Sequence, residues 1–277
     1  SEKEKKMKTK SLWRNPFVLA SLAAAFSAIY KSMDNITVHN FIVADDGLTA
    51  AFSYLIVGGW TGVIFGLIFS LTLGKKLIDK DFNGLVFKNK TMHRLALVSG
   101  VISAGSTLFL LWGNQLGDPS MLIALGSGSL LFTSIYDVKT KQARIKALAL
   151  PAGLVLVGSF LAAFGGSLAV TLLGFLLVVI LSNGLNAISE ILDQPGARAS
   201  DGVNFFLWRF FWLALSGTVI AIVVSGIRGY SEILQQTVIS ATAYIPFIAI
   251  TMFFVFLGVG LKIVSKKEIA VTAVLIV

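Results

Sequence analysis

The 277-residue chain contains no cysteine, so disulfide bonds, thiol nucleophiles and zinc–thiolate sites are all excluded. Charge is also scarce. Asp, Glu, Lys and Arg make up 13% of the residues, against roughly 25% in soluble domains. Hydrophobic residues make up 56%, and the mean hydropathy is +0.84. This balance predicts a polytopic membrane protein whose main partner is the lipid bilayer, with its backbone hydrogen bonds satisfied inside helices or a closed barrel.

Several chemistries lack the residues that they need. The two histidines, His39 and His93, lie in or beside loops on opposite predicted sides of the membrane, which argues against a metal site. The chain has no glycine-rich phosphate loop ending in Lys-Ser or Lys-Thr, and no Ser-His-Asp set that one membrane face could hold. We therefore expect no enzymatic activity and no cofactor. The net charge of +9 sits in short loops, so no nucleic-acid partner is expected either.

Long apolar runs without two-residue alternation predict transmembrane helices rather than a barrel. Hydropathy gives eight spans and the start of a ninth at residue 269, where the chain ends inside an apolar segment. The eight spans are 16–32, 48–73, 95–112, 119–136, 147–164, 168–188, 203–227 and 237–263.

The basic residues predict the orientation of these spans. Of the 23 Lys and Arg residues, 20 fall in the N-terminal tail and in the loops that share its side of the membrane. The opposite loops carry almost none, and 32–47, 113–118 and 165–167 contain no Lys or Arg. The positive-inside rule therefore predicts an integral plasma (inner) membrane protein with a cytoplasmic N-terminus.

An internal repeat organises the chain. Residues 15–70 align with 170–225 at an offset of 155 without gaps, and 8 of the 56 pairs are identical, among them Asp46-Gly47 with Asp201-Gly202. The order of apolar helix, polar loop and second apolar helix also agrees. The alternative is two unrelated helix pairs that share a membrane composition. Because five spans precede the second copy, that copy would be inverted in the membrane, an architecture of secondary transporters.

The predicted fold class is therefore an all-α polytopic membrane protein, a ten-helix-type bundle built from two inverted five-helix repeats. Residues 1–14 form a cytoplasmic basic tail, 15–166 the first five-helix repeat and 167–277 the second, inverted repeat. Symmetry between the halves predicts one and a half further spans after residue 277, so we expect the second repeat to be C-terminally truncated.

Three stretches resemble a known family. They are FFLWRFFWLAL at 205–215, LFLLWGNQLGDPSMLIALGSGSLLFTSIY at 108–136 and ALPAGLVLVGSFLAAF at 149–164. Together with ten spans in two inverted halves, they resemble the drug/metabolite transporter superfamily, in particular its EamA-like permeases. The resemblance implies a secondary transporter and favours export as its direction. This chain departs from the family pattern in having Asp137 where a Glu often follows the fourth helix, and Tyr54 as the first-half counterpart of Arg209.

Ionisable residues within the bilayer are the first candidates for a site. No Asp or Glu lies near the middle of a predicted span, and we expect Asp137, Glu190 and Asp201 to be solvated at cytoplasmic ends. That argues against a cation exporter that uses a buried carboxylate. Lys31 and Arg209 lie within apolar runs and would attract an anionic or zwitterionic substrate. The alternative is that both side chains snorkel to the interface.

Polar residues on the first and sixth spans form a matched pattern. Ser27 and Lys31 are four residues apart, as are Ser182 and Asn186, so each pair lies on one helix face. The repeat aligns the two pairs, and Asn183 lies beside the second. We predict that these faces meet across the repeat axis and line a central substrate cavity. The alternative is that they hydrogen-bond between helices as packing contacts.

Aromatic side chains would complete such a cavity. Together with the amide of Asn114, the candidates are Tyr54, Trp60, Trp112, Trp208 and Tyr244, although Trp and Tyr more often form the belts at membrane interfaces. Of these we predict Tyr54, Trp60 and Tyr244 to be substrate-binding residues. We expect Pro246 to kink the eighth span. Small residues such as Ser99 and Ser103 are interpreted as helix-packing contacts.

These patterns favour a permease that moves a small organic metabolite by alternating access, coupled to protons or to a counter-substrate. A homodimer is left open. One rival is a membrane-embedded enzyme acting on a lipid-linked substrate, for which Asp34, Asp45 and Asp46 are the candidate acidic group. Another is a membrane scaffold without transport activity.

Overall fold

A computed structural model describes residues 16–42, 44, 46–116, 128–142, 144, 149–150, 152–154, 157–158, 161, 172–267 and 271. Within these ranges every regular element is a helix. The α-helices are α1 (Pro16–Ile36), α2 (Gly47–Phe69), α3 (Lys90–Asn114), α4 (Ser129–Lys139), α5 (Leu172–Phe175), α6 (Asn183–Ala199), α7 (Gly202–Ile227), α8 (Ser231–Ala241) and α9 (Ile245–Ser265). Three π-helical segments extend them, namely Thr37–Phe41 after α1, Ser70–Ile78 after α2 and Leu176–Ser182 between α5 and α6.

Five continuous helical stretches are long and apolar enough to cross a membrane. They are Gly47–Ile78, Lys90–Asn114, Leu173–Ala199, Gly202–Ile227 and Ser231–Ser265. They coincide with the predicted second, third, sixth, seventh and eighth spans. Large apolar side chains remain exposed on their outer faces, for example Ile222 at 60%. Because such a surface suits lipid and not water, the helical membrane character predicted from hydropathy is confirmed.

The remaining predicted spans have different outcomes. The first corresponds to α1, which is not among those five stretches and continues past residue 32 to Ile36. The prediction that Asp34 lies in a loop is therefore wrong, since Asp34 belongs to the last turns of α1. Of the fourth span only residues 128–136 are described. Most of the fifth span, the start of the ninth and the tail 1–14 lie outside the described residues.

The two aligned Asp-Gly pairs begin helices. Asp46 accepts hydrogen bonds from the amides of Leu48 and Thr49 at the start of α2, and Asp201 accepts one from the amide of Asn204 at the start of α7. A carboxylate at this position satisfies amides that no helical carbonyl can reach. Pro246 is also near a helix start, in the first turn of α9. It follows the 3₁₀ turn Thr242–Tyr244, which separates α8 from α9 within the stretch Ser231–Ser265.

The bundle is built around the crossing of α2 and α7. A Cβ placed on Gly59 of α2 would lie 3.0 Å from the Cβ of Ala214 on α7, so the absence of a side chain allows this close approach. Helix α1 packs along α9, and α3 packs against both α6 and α7. Aromatic rings fill the space where α7 and α9 face each other, with the centroids of Phe206 and Phe256 4.7 Å apart.

Candidate functional site

A cavity of about 190 Å³ lies within the bundle and is lined by α1, α2, α3, α7 and α9 together with the chain around the start of α6. It is smaller than the roughly 300–1,000 Å³ of pockets for drug-sized ligands, so it suits a small molecule. One part of its wall is polar and another is apolar. The polar part includes Lys31, Asp34, Asn35, Asn114, Asn186 and Arg209, and the apolar part includes Leu110, Phe206, Phe210, Leu213, Met252 and Val255.

Most of the candidate residues from the sequence line this cavity. Six of the nine predicted substrate-binding residues do so, from four different helical segments: Lys31, Tyr54, Ser182, Asn183, Asn186 and Arg209. The polar faces of the first and sixth spans therefore border the same space. Their role in substrate binding stays a prediction.

The other three candidates lie elsewhere. Ser27 contacts α9, where a Cβ on Gly258 would come within 3.1 Å of the Ser27 Oγ. Trp60 donates a hydrogen bond from Nε1 to the Thr218 hydroxyl at 3.0 Å. Tyr244 stacks on Phe41, with ring centroids 4.8 Å apart. Helix-to-helix contacts therefore account for all three side chains without a ligand.

Arg209 is held in place by two neighbouring helices. Its Nε and Nη2 donate to the Ser103 Oγ of α3 at 3.1 and 2.9 Å, and its Nη1 donates to the Asp193 carboxylate of α6 at 2.7 Å. The side chain is 12% exposed. It therefore does not snorkel to an interface, and its positive charge is balanced by Asp193. The sequence analysis interpreted Ser103 as a helix-packing residue. Ser103 also hydrogen-bonds Ser189, so it both joins neighbouring helices and holds Arg209 in place.

Lys31 and Asp34 lie three residues apart on α1 and both line the cavity. The Tyr54 hydroxyl of α2 donates a short hydrogen bond to the Asp34 carboxylate. Within the part of the chain that the structure describes, the Lys31 ammonium has neither a hydrogen-bond partner nor a carboxylate within 4 Å. The cavity thus contains the positive charge of Lys31, which has no close partner among the described residues, beside the hydrogen-bonded carboxylate of Asp34.

Arg209 connects the cavity to a buried ionic cluster, by which we mean Glu190, Asp193, Arg209, Lys262 and Lys266. Lys262 donates to Glu190 at 2.5 Å, and Lys266 donates to Glu190 and, at 2.8 Å, to Asp193. Lys266 is 0% exposed and Glu190 is 5% exposed. The prediction that Glu190 is solvated is therefore wrong, because α9 brings two lysines to it inside the bundle. Asp137 and Asp201 are buried as well, and Asp201 is used as a helix cap.

A second ion pair lies beyond the end of the spans. Lys267 donates to the Asp79 carboxylate at 2.5 Å, and the same oxygen accepts the Gly202 amide at 2.8 Å. Burial raises the pKa of Asp79, but the hydrogen bonds and the charge of Lys267 outweigh it and hold the pKa below its ordinary value. This pair ties the segment before α3 to the start of α7 and the end of α9.

Sequence reasoning placed Asp34 in a loop and not in the cavity, and it missed Asp193 and the pairing of Glu190 with α9. Asp34 and Asp193 each had a local signal. Asp34 follows Lys31 by three residues, and Asp193 follows Glu190 by the same interval, so each pair shares a helix face. No such signal identifies the partner helix, since Glu190 and Lys266 are 76 residues apart.

The acidic group proposed for an enzyme is not assembled in the described residues. Asp46 caps α2 and pairs with Arg228 at 3.4 Å, whereas Asp34 faces Tyr54 inside the bundle. Asp45 lies outside the described residues. No group of three His, Asp or Glu residues suited to a metal ion occurs in the described ranges.

Neither the known protein-family models nor the curated protein sequences include one that matches this chain.

Proposed function

We propose that this protein is a secondary active permease of the drug/metabolite type, which moves a small organic metabolite through the membrane by alternating access. The observation that carries the proposal is the cavity inside the apolar bundle, because residues from both predicted repeats line it at equivalent positions. A solute site at the interface of two repeats is the arrangement expected of such transporters.

The offset of 155 identifies the equivalent residues. It converts Lys31 into Asn186 (31 + 155) and Tyr54 into Arg209 (54 + 155), and all four line the cavity. The same offset pairs Leu55 with Phe210 and Gly58 with Leu213, which also line it. Two unrelated helix pairs would have no reason to present matching positions to one space.

Contacts between α2 and α7 also exchange under this offset. Gly59 corresponds to Ala214 (59 + 155), and these two residues touch each other, as expected at a two-fold axis. Gly62 lies against Phe210, and Gly217 lies against Leu55. The offset of 155 relates Leu55 to Phe210 and Gly62 to Gly217. The contact of Gly62 with Phe210 is therefore the repeat equivalent of the contact of Gly217 with Leu55. This reciprocity supports an inverted repeat.

The same relation extends to the neighbouring helices. Helix α3 begins at Lys90 and α9 begins at Ile245 (90 + 155), as the offset requires. The pairing of α1 with α9 then corresponds to the pairing of α6 with α3, and both pairs pack extensively. These matches relate α1, α2 and α3 to α6, α7 and α9, and they support an architecture of two related halves.

In this proposal the ionic cluster closes one end of the pathway. Asp193 touches Arg209 at the cavity wall and Lys266 in the fully buried part of the cluster. For a solute to leave past this end, α9 must separate from α6, which exchanges these ion pairs for water. The distribution of basic residues supports a cytoplasmic location for this end. The resemblance favours export, driven by a proton or counter-substrate gradient.

The absence of native cysteine provides a direct test. In Ser182→Cys the only thiol of this 277-residue chain would line the cavity. We expect a charged, membrane-impermeant methanethiosulfonate to modify it both in right-side-out and in inside-out vesicles, because the cavity opens to each side in turn. The matched control is Ile222→Cys, whose side chain faces lipid and should not react from either side.

Modification of Ser182→Cys from one side only, under every gradient applied, would contradict alternating access. A lack of modification from both sides would mean that water does not reach the cavity. Either result would favour a structural or enzymatic role for the bundle over transport.

A further inference from the structure

We infer that the cavity binds a small amphipathic organic carboxylate, whose single negative charge pairs with Lys31 and whose apolar part lies against α7 and α9. This inference rests on the proposed permease function, because it names the substrate class of that same cavity.

The charges around the cavity leave one cation for a ligand. The cavity and the ionic cluster together contain four cations, Lys31, Arg209, Lys262 and Lys266, but three carboxylates, Asp34, Glu190 and Asp193. Lys31 is the cavity cation that makes no hydrogen bond and no ion pair within 4 Å to a described residue, although the charges of Glu190 and Asp34 act on it from farther away. An ammonium within a membrane bundle is costly unless an anion compensates it. One uncommitted positive charge matches a monoanion better than a multiply charged phosphate ester.

Uncommitted amides lie along the same wall. Asn114 is 3% exposed, and its Oδ1 has no hydrogen-bond partner in the structure as described. The side chain of Asn186, the repeat equivalent of Lys31, likewise makes no hydrogen bond to a described residue. Because the oxygen and nitrogen of an Asn amide exchange by a flip, both side chains can present N–H donors to a carboxylate. Buried polar groups without partners are rare in native proteins, so the buried amide of Asn114 points to a polar ligand group.

The apolar part of the lining requires an apolar ligand body. Phe206, Phe210 and Leu213 of α7 line the cavity together with Met252 and Val255 of α9. An inorganic anion such as chloride would pair with Lys31 and leave this apolar surface without a contact. A planar or branched hydrocarbon group bearing one carboxylate satisfies both walls within the small volume.

The test compares three probes of one size and different charge on the full-length protein in lipid nanodiscs. Benzoate carries a negative charge, benzylamine a positive charge, and benzyl alcohol none. Binding is followed by tryptophan fluorescence and by the shift of the thermal unfolding midpoint. We expect benzoate to bind and to raise the midpoint, whereas the other two probes and chloride bind at least tenfold more weakly.

Variants then identify the cation. Lys31→Gln should weaken benzoate binding at least tenfold, and Lys31→Arg should restore part of it. Lys76→Gln removes an exposed lysine outside the cavity and should leave benzoate affinity unchanged. If Lys31→Gln does not fold, the comparison of the three probes on the unmodified protein still decides the question.

Binding of benzylamine or benzyl alcohol as tight as that of benzoate would overturn the inference, as would unchanged benzoate affinity in folded Lys31→Gln. Equal effects of chloride and benzoate would indicate a site for inorganic anions and would also overturn it. Failure here is distinct from failure of the permease proposal. A cavity that reacts from both sides through Ser182→Cys but ignores benzoate would keep the transport function and reject the carboxylate.

Discussion

The buried ionic cluster provides the sharpest test of the structure, because its charges do not balance. It contains three cations, Arg209, Lys262 and Lys266, but two carboxylates, Glu190 and Asp193. Glu190→Gln removes the acid that serves both lysines. Lys262 is then left without a carboxylate in the cluster, and Lys266 must share Asp193 with Arg209. The net charge of the cluster rises from +1 to +2.

The expected cost follows from the burial of these groups. Removing one partner of a buried pair costs about 3–5 kcal/mol, because an uncompensated charge stays inside. Lys266→Met removes a cation instead and leaves two one-to-one pairs, Lys262 with Glu190 and Arg209 with Asp193. Because every remaining charge of the cluster then has a partner, no uncompensated buried charge is left, and we expect Lys266→Met to destabilise the protein less than Glu190→Gln. Both variants remove the ion pair between Glu190 and Lys266. Glu190→Gln raises the net charge of the cluster, whereas Lys266→Met lowers it.

The assay is equilibrium unfolding in mixed micelles, in which SDS is titrated into the protein and helix content is followed by circular dichroism. Glu190→Gln should be the less stable variant by several kcal/mol. The double variant Glu190→Gln/Lys266→Met should be more stable than Glu190→Gln alone, because it returns the net charge of the cluster to +1. Equal stability of the two single variants would refute the reasoning, since it would mean that water reaches the cluster and screens its charges.

Three further predictions follow from other contacts. Gly100→Ala places a Cβ 2.6 Å from a backbone carbonyl of α7 and should destabilise the protein by about 1–3 kcal/mol, whereas Gly184→Ala, with open space around it, should gain up to about 1 kcal/mol in the same unfolding assay. The pKa of Asp79 is depressed in the folded protein, so its contribution to stability is complete above about pH 4, the ordinary value, and is lost as the pH falls through the lower folded value. Unfolding midpoints measured from pH 7 to pH 3 should therefore fall less steeply in Asp79→Asn. Tyr54→Phe removes the donor to Asp34 and should cost about 1–3 kcal/mol.

Each of these predictions has a result that contradicts it. Equal stability of the two glycine variants would show that α3 and α7 are not in close contact. An unchanged pH profile in Asp79→Asn would show that the pair with Lys267 does not contribute to stability. A Tyr54→Phe variant as stable as the parent would mean that water replaces the hydroxyl beside Asp34.

Part of the cavity could be predicted from the alignment of residues 15–70 with 170–225. This alignment pairs Lys31 with Asn186 and Tyr54 with Arg209, and all four residues line the cavity. The spacing of four residues placed Ser182 and Asn186 on one helix face. It failed for Ser27, because α9 packs against that turn of α1 and covers it.

Other features could not be predicted because they depend on which helices are neighbours. Trp60 and Tyr244 are residue types that often line binding sites. In the folded bundle their rings instead contact α7 and Phe41, and these contacts depend on how the helices pack. Glu190 and Lys262 each look like solvated residues near a span end. They become one buried cluster because α6 and α9 meet.

The sequence by itself determined what depends on composition and on local contacts. Hydropathy decided that the chain forms membrane helices and placed five of them, and the Asp-Gly pairs marked the starts of α2 and α7 because a helix cap needs residues that are close in sequence. Only the tertiary structure decided the partners of charged residues across the bundle, since a hydrogen bond between residues 76 positions apart leaves no trace in either segment alone. For the same reason the sequence alone could not show that Lys31 lacks a close partner, since this depends on which helices pack against α1.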